Sequence, residues 1–236
     1  MAGQLQTVKK FLVAANLDPT ALAGGTPQAA LDLMAREERD AAMQALSHPS
    51  ADHDPTSWFS RFNPDTAVLA SQEVKVQGRV TFEGDGDNGL LVHTDYTFVY
   101  ALVPGPHVYR PAAQPSPQGG GGATSAPTDG GAQSAAWLQL SGSTPVTREI
   151  VRRQQDFRFF DHTRYSNDPT KITFGKGQSD TANNYCVAGD GWLEPEFPQT
   201  VVGNDDPGPS SGPTSDPYDR SKPLPDDGKC GTASRT

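Results

Sequence analysis

Apolar residues near the start of the chain recur every three or four positions, and further along they switch to strict alternation. In TVKKFLVAANL, Val8, Phe11, Leu12 and Ala15 share one helical face and Lys9 and Lys10 take the other. Asp18 and Pro19 end that helix. A second helix is expected from Thr26, with Pro27 suited to its first position and Ala30, Leu33, Met34, Ala41 and Leu46 as its apolar stripe. Arg36, Glu37, Glu38, Arg39 and Asp40 form its solvent face. Met34 and Met43 read as packing residues, because thioethers fill uneven core gaps. HPSADHDP then interrupts regular structure, and Trp58, Phe59 and Phe62 are expected to be buried over the open end of a sheet.

The alternation begins at EVKVQGRVTFEG. Val74, Val76, Val80 and Phe82 alternate with polar residues, and Leu90, Val92, Tyr96, Phe98, Tyr100 and Leu102 continue the pattern on a second strand. Asn88 and Gly89 between them suit a tight hairpin turn. Two long antiparallel strands with one apolar face need helices or another sheet to cover them. A third group follows in AWLQL, with Trp137 and either Leu138 or Leu140, and in TREIVRRQQDFRFFD, where Val151, Phe157 and Phe159 share one parity and Ile150 and Phe160 the other. A bulge could carry Phe160 to the covered side. Lys171, Thr173 and Phe174 make a short last strand that glycine and asparagine soon interrupt. Trp192, Leu193 and Phe197 form a final hydrophobic anchor.

This order gives an α+β domain over residues 1–200, with two amino-terminal helices on a curved, mainly antiparallel sheet. Residues 110–136 are a Gly- and Pro-rich insertion with little apolar surface to repay ordering, and 201–236 are a Pro/Gly/Asp-rich tail. Cys186 and Cys230 are the only cysteines, and a bond between them would close the tail onto the domain. A loop of that size gives roughly 4 kcal/mol in a chain-entropy model. Such a bond persists outside the cytoplasm, so the pair favours an extracytoplasmic, secreted or membrane-associated protein over a cytoplasmic one. Met1 to Gln6 is not a signal peptide, so that reading has a targeting element missing from this chain.

The net charge of −9 disfavours a general nucleic-acid or anionic-membrane surface. No apolar run reaches the roughly 20 residues that span a bilayer.

The helices followed by long strands resemble the cystatin-like, or NTF2-like, α+β fold, over Val8 to Phe174. The polar insertion and cysteine-bearing tail look like uncharacterised extracytoplasmic proteins of actinobacteria. The resemblance implies a cone-shaped sheet with a pocket at its mouth. NTF2-like domains include small-molecule enzymes, dimerisation modules and accessory parts of membrane assemblies, so the fold selects no reaction.

The candidate chemistry lies on the strands. His93, Asp95 and Tyr96 on one, with Asp156 and Arg158 on another, could meet at an opening, where a carboxylate takes a proton and histidine or tyrosine steadies developing charge. Parity puts His93 and Asp95 on one face and Tyr96 on the other, so ordinary surface residues are the simpler reading of the first two. Arg148, Arg152, Arg153 and Arg158 are the most basic stretch, with Arg152 and Arg158 on one parity and Arg153 on the other. Glu149 and Asp156 nearby point to cross-strand ion pairing rather than nucleic-acid binding.

Metal and cofactor motifs are weaker still. Asp85 and Asp87 lack the rest of a calcium loop, whose twelfth position here is Tyr96. GKGQS, residues 175–179, lacks the pattern of a phosphate loop, and His48, Asp52, His53 and Asp54 read as turn chemistry rather than a metal site. No GxSxG elbow or Cys–His arrangement is present, and no cofactor is implied.

The sequence therefore favours a noncatalytic extracytoplasmic accessory or partner-binding domain of the cell envelope, its partner an envelope protein or a second copy. The alternative is a small-molecule-binding protein or enzyme using His93, Asp95 or Asp156 in a cone-shaped pocket, with Tyr96 and Arg158 as ligand-binding residues.

Overall fold

The computed structural model describes residues 1–86, 89–106, 146–185, 189–197, 214–222, 224 and 232–233. Helix α1 (Ala2–Asn16) buries Val8, Phe11, Leu12 and Ala15. Asp18 then starts the one-turn helix α2 (Pro19–Leu22) by accepting the amides of Thr20 and Ala21 at 2.8 and 3.0 Å.

The expected second helix is two helices, α3 (Gln28–Leu31) and α4 (Arg36–Ser47). Between them the backbone leaves helical geometry to pair with Ile172. The Ile172 amide donates to Leu33 O at 2.9 Å and the Ala35 amide donates to Ile172 O at 2.7 Å. The break resets the apolar stripe. Ala30 and Met34 are buried and Leu33 and Leu46 pack against the core as expected, whereas Ala41 and Met43 are exposed and Ala42 and Ala45 are buried in α4 instead.

Five antiparallel strands form the sheet: β1 (Ala67–Leu69), β2 (Lys75–Gly84), β3 (Gly89–Pro104), β4 (Thr147–Phe160) and β5 (Thr173–Ala182). β3 is long enough for β1 and β2 to share one of its edges while β4 takes the other and β5 flanks β4. Two-residue strands β6 (Thr214–Ser215) and β7 (Thr232–Ala233) pair in parallel apart from it. The Asn88 turn, the Ala136–Leu140 strand and the 110–136 insertion lie outside the described residues.

The curved cone of the NTF2-like resemblance is not formed. Among the described residues no ladder joins β5 to β1 or β2, so the sheet is open. The β2–β3 and β3–β4 ladders run without a register break from Lys75↔Val99 to Gly84↔Leu90 and from Gly89↔Phe160 to Leu102↔Thr147. They lack the bulges in the central strands that curl a sheet towards closure.

The one irregularity lies further out. Gln155 faces Gly177 and Phe157 faces Phe174, so Gly175 and Lys176 together oppose Asp156. The glycines expected to end the last strand instead bulge it, and β5 continues to Ala182. Phe160 keeps its own parity and packs on Tyr165 with ring centroids 5.2 Å apart.

Alternation sorts the side chains onto two faces. The inner face, under the helices, carries Phe98, Tyr100, Val151, Phe157 and Phe159, all buried. α1 and α3 pack on Phe157, Phe159 and Ile172, while Leu22, Phe62, Leu193 and Phe197 pack on Phe98, Tyr100 and Val151. The Trp192–Phe197 anchor therefore joins the second cluster, and Phe59 and Phe62 are buried as expected.

β2 is the exception to coverage. Its inner positions Val76, Val80 and Phe82 are 43, 44 and 46% exposed, and every residue of the strand is exposed. α1 lies over the centre of the sheet and leaves this margin open.

The disulfide-fastened tail also needs correction. No disulfide is present among the described residues, and Cys186 and Cys230 lie outside them. Residues 216–222 are instead held on the outer face of the sheet by polar contacts, and Leu224 is buried. No helix among the described residues is long and apolar enough to cross a membrane.

Candidate functional site

Arg152 and Arg153 are consecutive in β4, so their side chains leave on opposite faces. Both are buried, and each organises the face it enters.

On the outer face Arg152 grips Asp95 of β3 through two hydrogen bonds, Nε to Oδ1 at 3.0 Å and Nη2 to Oδ2 at 2.9 Å. This parallel two-point geometry is the strong form of a charge pair. The guanidinium also donates to Asp219 O at 2.8 Å and Lys222 O at 3.4 Å, tying the tail to the sheet. Thr97 Oγ1 donates to Pro217 O, and Arg220 donates to Gln77 O and Thr97 Oγ1. Burial opposes ionisation of Asp95, but the hydrogen bonds and charge of Arg152 outweigh it and hold the carboxyl below its usual range. Asp95 is thus a structural anion beneath the tail, not the solvent-facing residue that alternation suggests.

His93 and Asp156 meet on the same face, two residues along from that pair. Nδ1 of His93 is 2.7 Å from Asp156 Oδ1, and Nε2 is 3.4 Å from Glu83 Oε1. The imidazole is 38% exposed, and the Asp156 hydrogen bond is the main cause of its raised pKa. Arg158 Nε stands 2.6 Å from Asp85 Oδ2 as an ion pair without hydrogen-bond alignment. Tyr96 lies on the inner face, stacked on Phe98 with centroids 6.2 Å apart, and its ring fills the space a side chain at Gly78 would need. The five candidates therefore do not share one pocket.

On the inner face Arg153 has no carboxylate within ion-pair distance among the described residues. Nε donates to Asn16 Oδ1 at 3.0 Å, Nη1 to Thr56 O at 2.7 Å and Ser57 O at 3.2 Å, and Nη2 to Ser60 Oγ at 3.4 Å. Asn16 is the hub of this network. Its Oδ1 also accepts from Ser60 Oγ at 2.9 Å, and its backbone carbonyl accepts from Tyr100 Oη at 3.0 Å. Burial lowers the pKa of Arg153 and raises that of Tyr100.

Beside Arg153 a cavity of about 410 Å³ opens between α1, α4 and the β4–β5 ladder. Phe11, Trp58, Phe157 and Phe174 form its aromatic wall, with Phe11 to Phe174 centroids 5.3 Å apart and Phe11 to Phe157 centroids 5.6 Å apart. Gln155 donates to Asp156 O at 2.9 Å and Lys176 O at 3.3 Å, meeting a carbonyl that the bulge frees. A side chain at Gly177 would overlap Gln155 Oε1, so the glycine gives Gln155 room at the rim. GKGQS thus shapes a cavity edge. Glu38 of α4 accepts the Phe174 amide at 3.1 Å, and burial raises its pKa.

A second acidic feature lies beyond Tyr100. Glu149 is wholly buried, and neither carboxyl oxygen has a hydrogen-bond partner among the described residues. Burial, with the charge of Glu194 adding to it, pushes its pKa well up. Burial and Asp190 push Glu194 itself up to about 7. The described residues contain no group of three or more His, Cys, Asp or Glu side chains suited to a metal ion.

The sequence reading missed the roles of Arg153 and Glu149. Both lie on the parity of Val151 and Phe157, and a charged residue on an apolar parity was the available signal. No family model, curated protein or solved structure matches this chain in comparisons with known proteins.

Proposed function

We propose that this chain is a noncatalytic accessory domain that works by association, and that β2 is the surface through which two copies meet. The observation that supports this is the state of β2: a ten-residue edge strand exposed along its whole length, with Val76, Val80 and Phe82 43 to 46% exposed on one face. An open edge offers unpaired backbone donors and acceptors to a second strand, and apolar residues beside it add affinity.

A second copy is favoured by the strand's own pattern. Antiparallel pairing about a two-fold axis at Arg79 sets Lys75 against Glu83 of the other copy and Val76 against its Phe82. A two-fold interface demands such self-complementarity. Val13 on α1, 46% exposed, and the apolar groove between α1 and β2 extend the surface.

The catalytic alternative requires His93, Asp95 or Asp156 turned into a closed cavity, whereas each is engaged in charge pairing on the outer face. An extracytoplasmic, cell-envelope setting belongs to the same proposal, and the acidic balance and Pro/Gly/Asp-rich tail agree with it.

Sedimentation equilibrium tests the association. The full chain is expected to form a dimer that Val80→Lys reduces to monomer without unfolding. A monomer at every concentration, or a dimer indifferent to Val80→Lys, rejects the proposal. A complex only with a different protein would reject the second copy as the occupant.

A further inference from the structure

Arg153 is only 5% exposed and has no carboxylate within ion-pair distance among the described residues, so Asp54 offsets its charge only from further away. Its hydrogen bonds to Asn16, Thr56, Ser57 and Ser60 account for four of the five N–H donors of a guanidinium. The fifth, on Nη2, has no acceptor among the described residues. Arg153 also lines the cavity of about 410 Å³, a volume in the range of small-molecule sites.

The wall of that cavity changes character along β4. Arg153, Gln155 and Phe157 point inward in succession, each about 6.8 Å from the next at the rise of an extended chain. A cation thus stands at one end of the row. At the other, Phe157 packs with Phe11 and Phe174, and Phe174 with Trp58. Ser57, Gly177 and Ser179 are exposed cavity residues and give access from solvent.

We propose that this cavity binds a small monocarboxylate with an aromatic or other apolar body, its carboxylate on Arg153 and its body against Phe11, Trp58, Phe157 and Phe174. Arginine suits a carboxylate because the remaining Nη2 N–H can donate a charge-assisted hydrogen bond to one of its oxygens while the cation attracts the whole anion. Glu38, half-buried on the same cavity, disfavours a second negative charge on the occupant. The site is independent of the β2 edge and requires no second copy.

The probes are 4-phenylbutanoate and its neutral counterpart 4-phenylbutanamide, titrated into the ¹⁵N-labelled full chain at pH 7. The acid is expected to give saturable shifts at the amides of Ser57, Gly175 and Gly177 and at the Trp58 indole. The amide is expected to bind about tenfold more weakly, since it lacks the charge-assisted bond. Arg153→Gln should erase the preference for the acid, and Phe174→Ala should weaken both probes. Arg153 also supports the Thr56–Ser57 loop, so if Arg153→Gln does not fold, the comparison of the two probes on the unaltered protein decides. Equal binding of acid and amide, shifts confined to other residues, or no shifts at millimolar acid would overturn the assignment.

Discussion

Arg152 and Arg153 are neighbours in sequence, and they hold opposite sides of the protein. Arg152 binds Asp95 and the tail carbonyls on the outer face, while Arg153 binds Asn16, Ser60 and the Thr56–Ser57 loop on the inner face. β4 is therefore the element through which the helical layer, the sheet and the carboxyl tail are joined.

Asp95→Ala should be among the most damaging single changes on the outer face. It leaves Arg152 buried without its anion, and breaking one side of a buried pair costs about 3–5 kcal/mol. Urea unfolding measures that loss. Limited trypsin digestion should also cleave after Arg220 sooner, because its segment loses its main attachment.

Asn16→Ala tests the inner network. The substitution removes the acceptor of Arg153 Nε and Ser60 Oγ while the Asn16 carbonyl stays available to Tyr100. A buried donor on a charged group then goes unmet, and a loss of about 2–3 kcal/mol is expected in denaturant unfolding.

Glu149 and Glu194 should make the protein less stable as the pH rises from acid towards neutral. Glu194 rises from an ordinary 4.5 to about 7 on folding, so the folded state keeps a proton that the unfolded chain releases. Its favourable contribution is complete below about 4.5 and is lost as the pH rises towards 7. The raised carboxyl of Glu149 acts in the same direction. Glu149→Met should therefore raise stability at pH 8 by about 1–3 kcal/mol, because it removes a buried group with unmet hydrogen bonds. The gain should shrink in acid, as thermal melts across pH will show.

His93 adds a second pH dependence of the same sign. Its folded pKa is raised by Asp156, so the pair stabilises fully below the unfolded value near 6.5 and fades as the pH rises through the folded one. Asp156→Asn should flatten this component, and NMR titration of the imidazole should show the His93 pKa falling.

The alternation of β2, β3 and β4 was plain in the sequence, down to the opposite parities of Tyr96 and His93, because side-chain direction in a strand follows directly from position. Long-range competition was not visible. Leu33 and Ala35 abandon helix to bond with Ile172, more than a hundred residues away, and that break shifted the buried stripe of α4 from Ala41 to Ala42 and Ala45. The glycines at 175 and 177 read as strand breakers, yet Gln155 opposite them turns the interruption into a bulge. The tail read as unable to fold alone. Its attachment depends on Arg152 and Thr97, and no local pattern in the tail specifies them. The site suffered in the same way: the arginines were legible as a basic stretch, but not which would find a carboxylate.

Hydrogen–deuterium exchange across residues 75–84 reads whether the edge of β2 pairs with a second copy. Outward amides of a free edge exchange quickly, and pairing protects them. Protection should rise with protein concentration along the strand in the unaltered protein and stay absent in Val80→Lys. Fast exchange at these amides that is the same at every concentration would contradict the account.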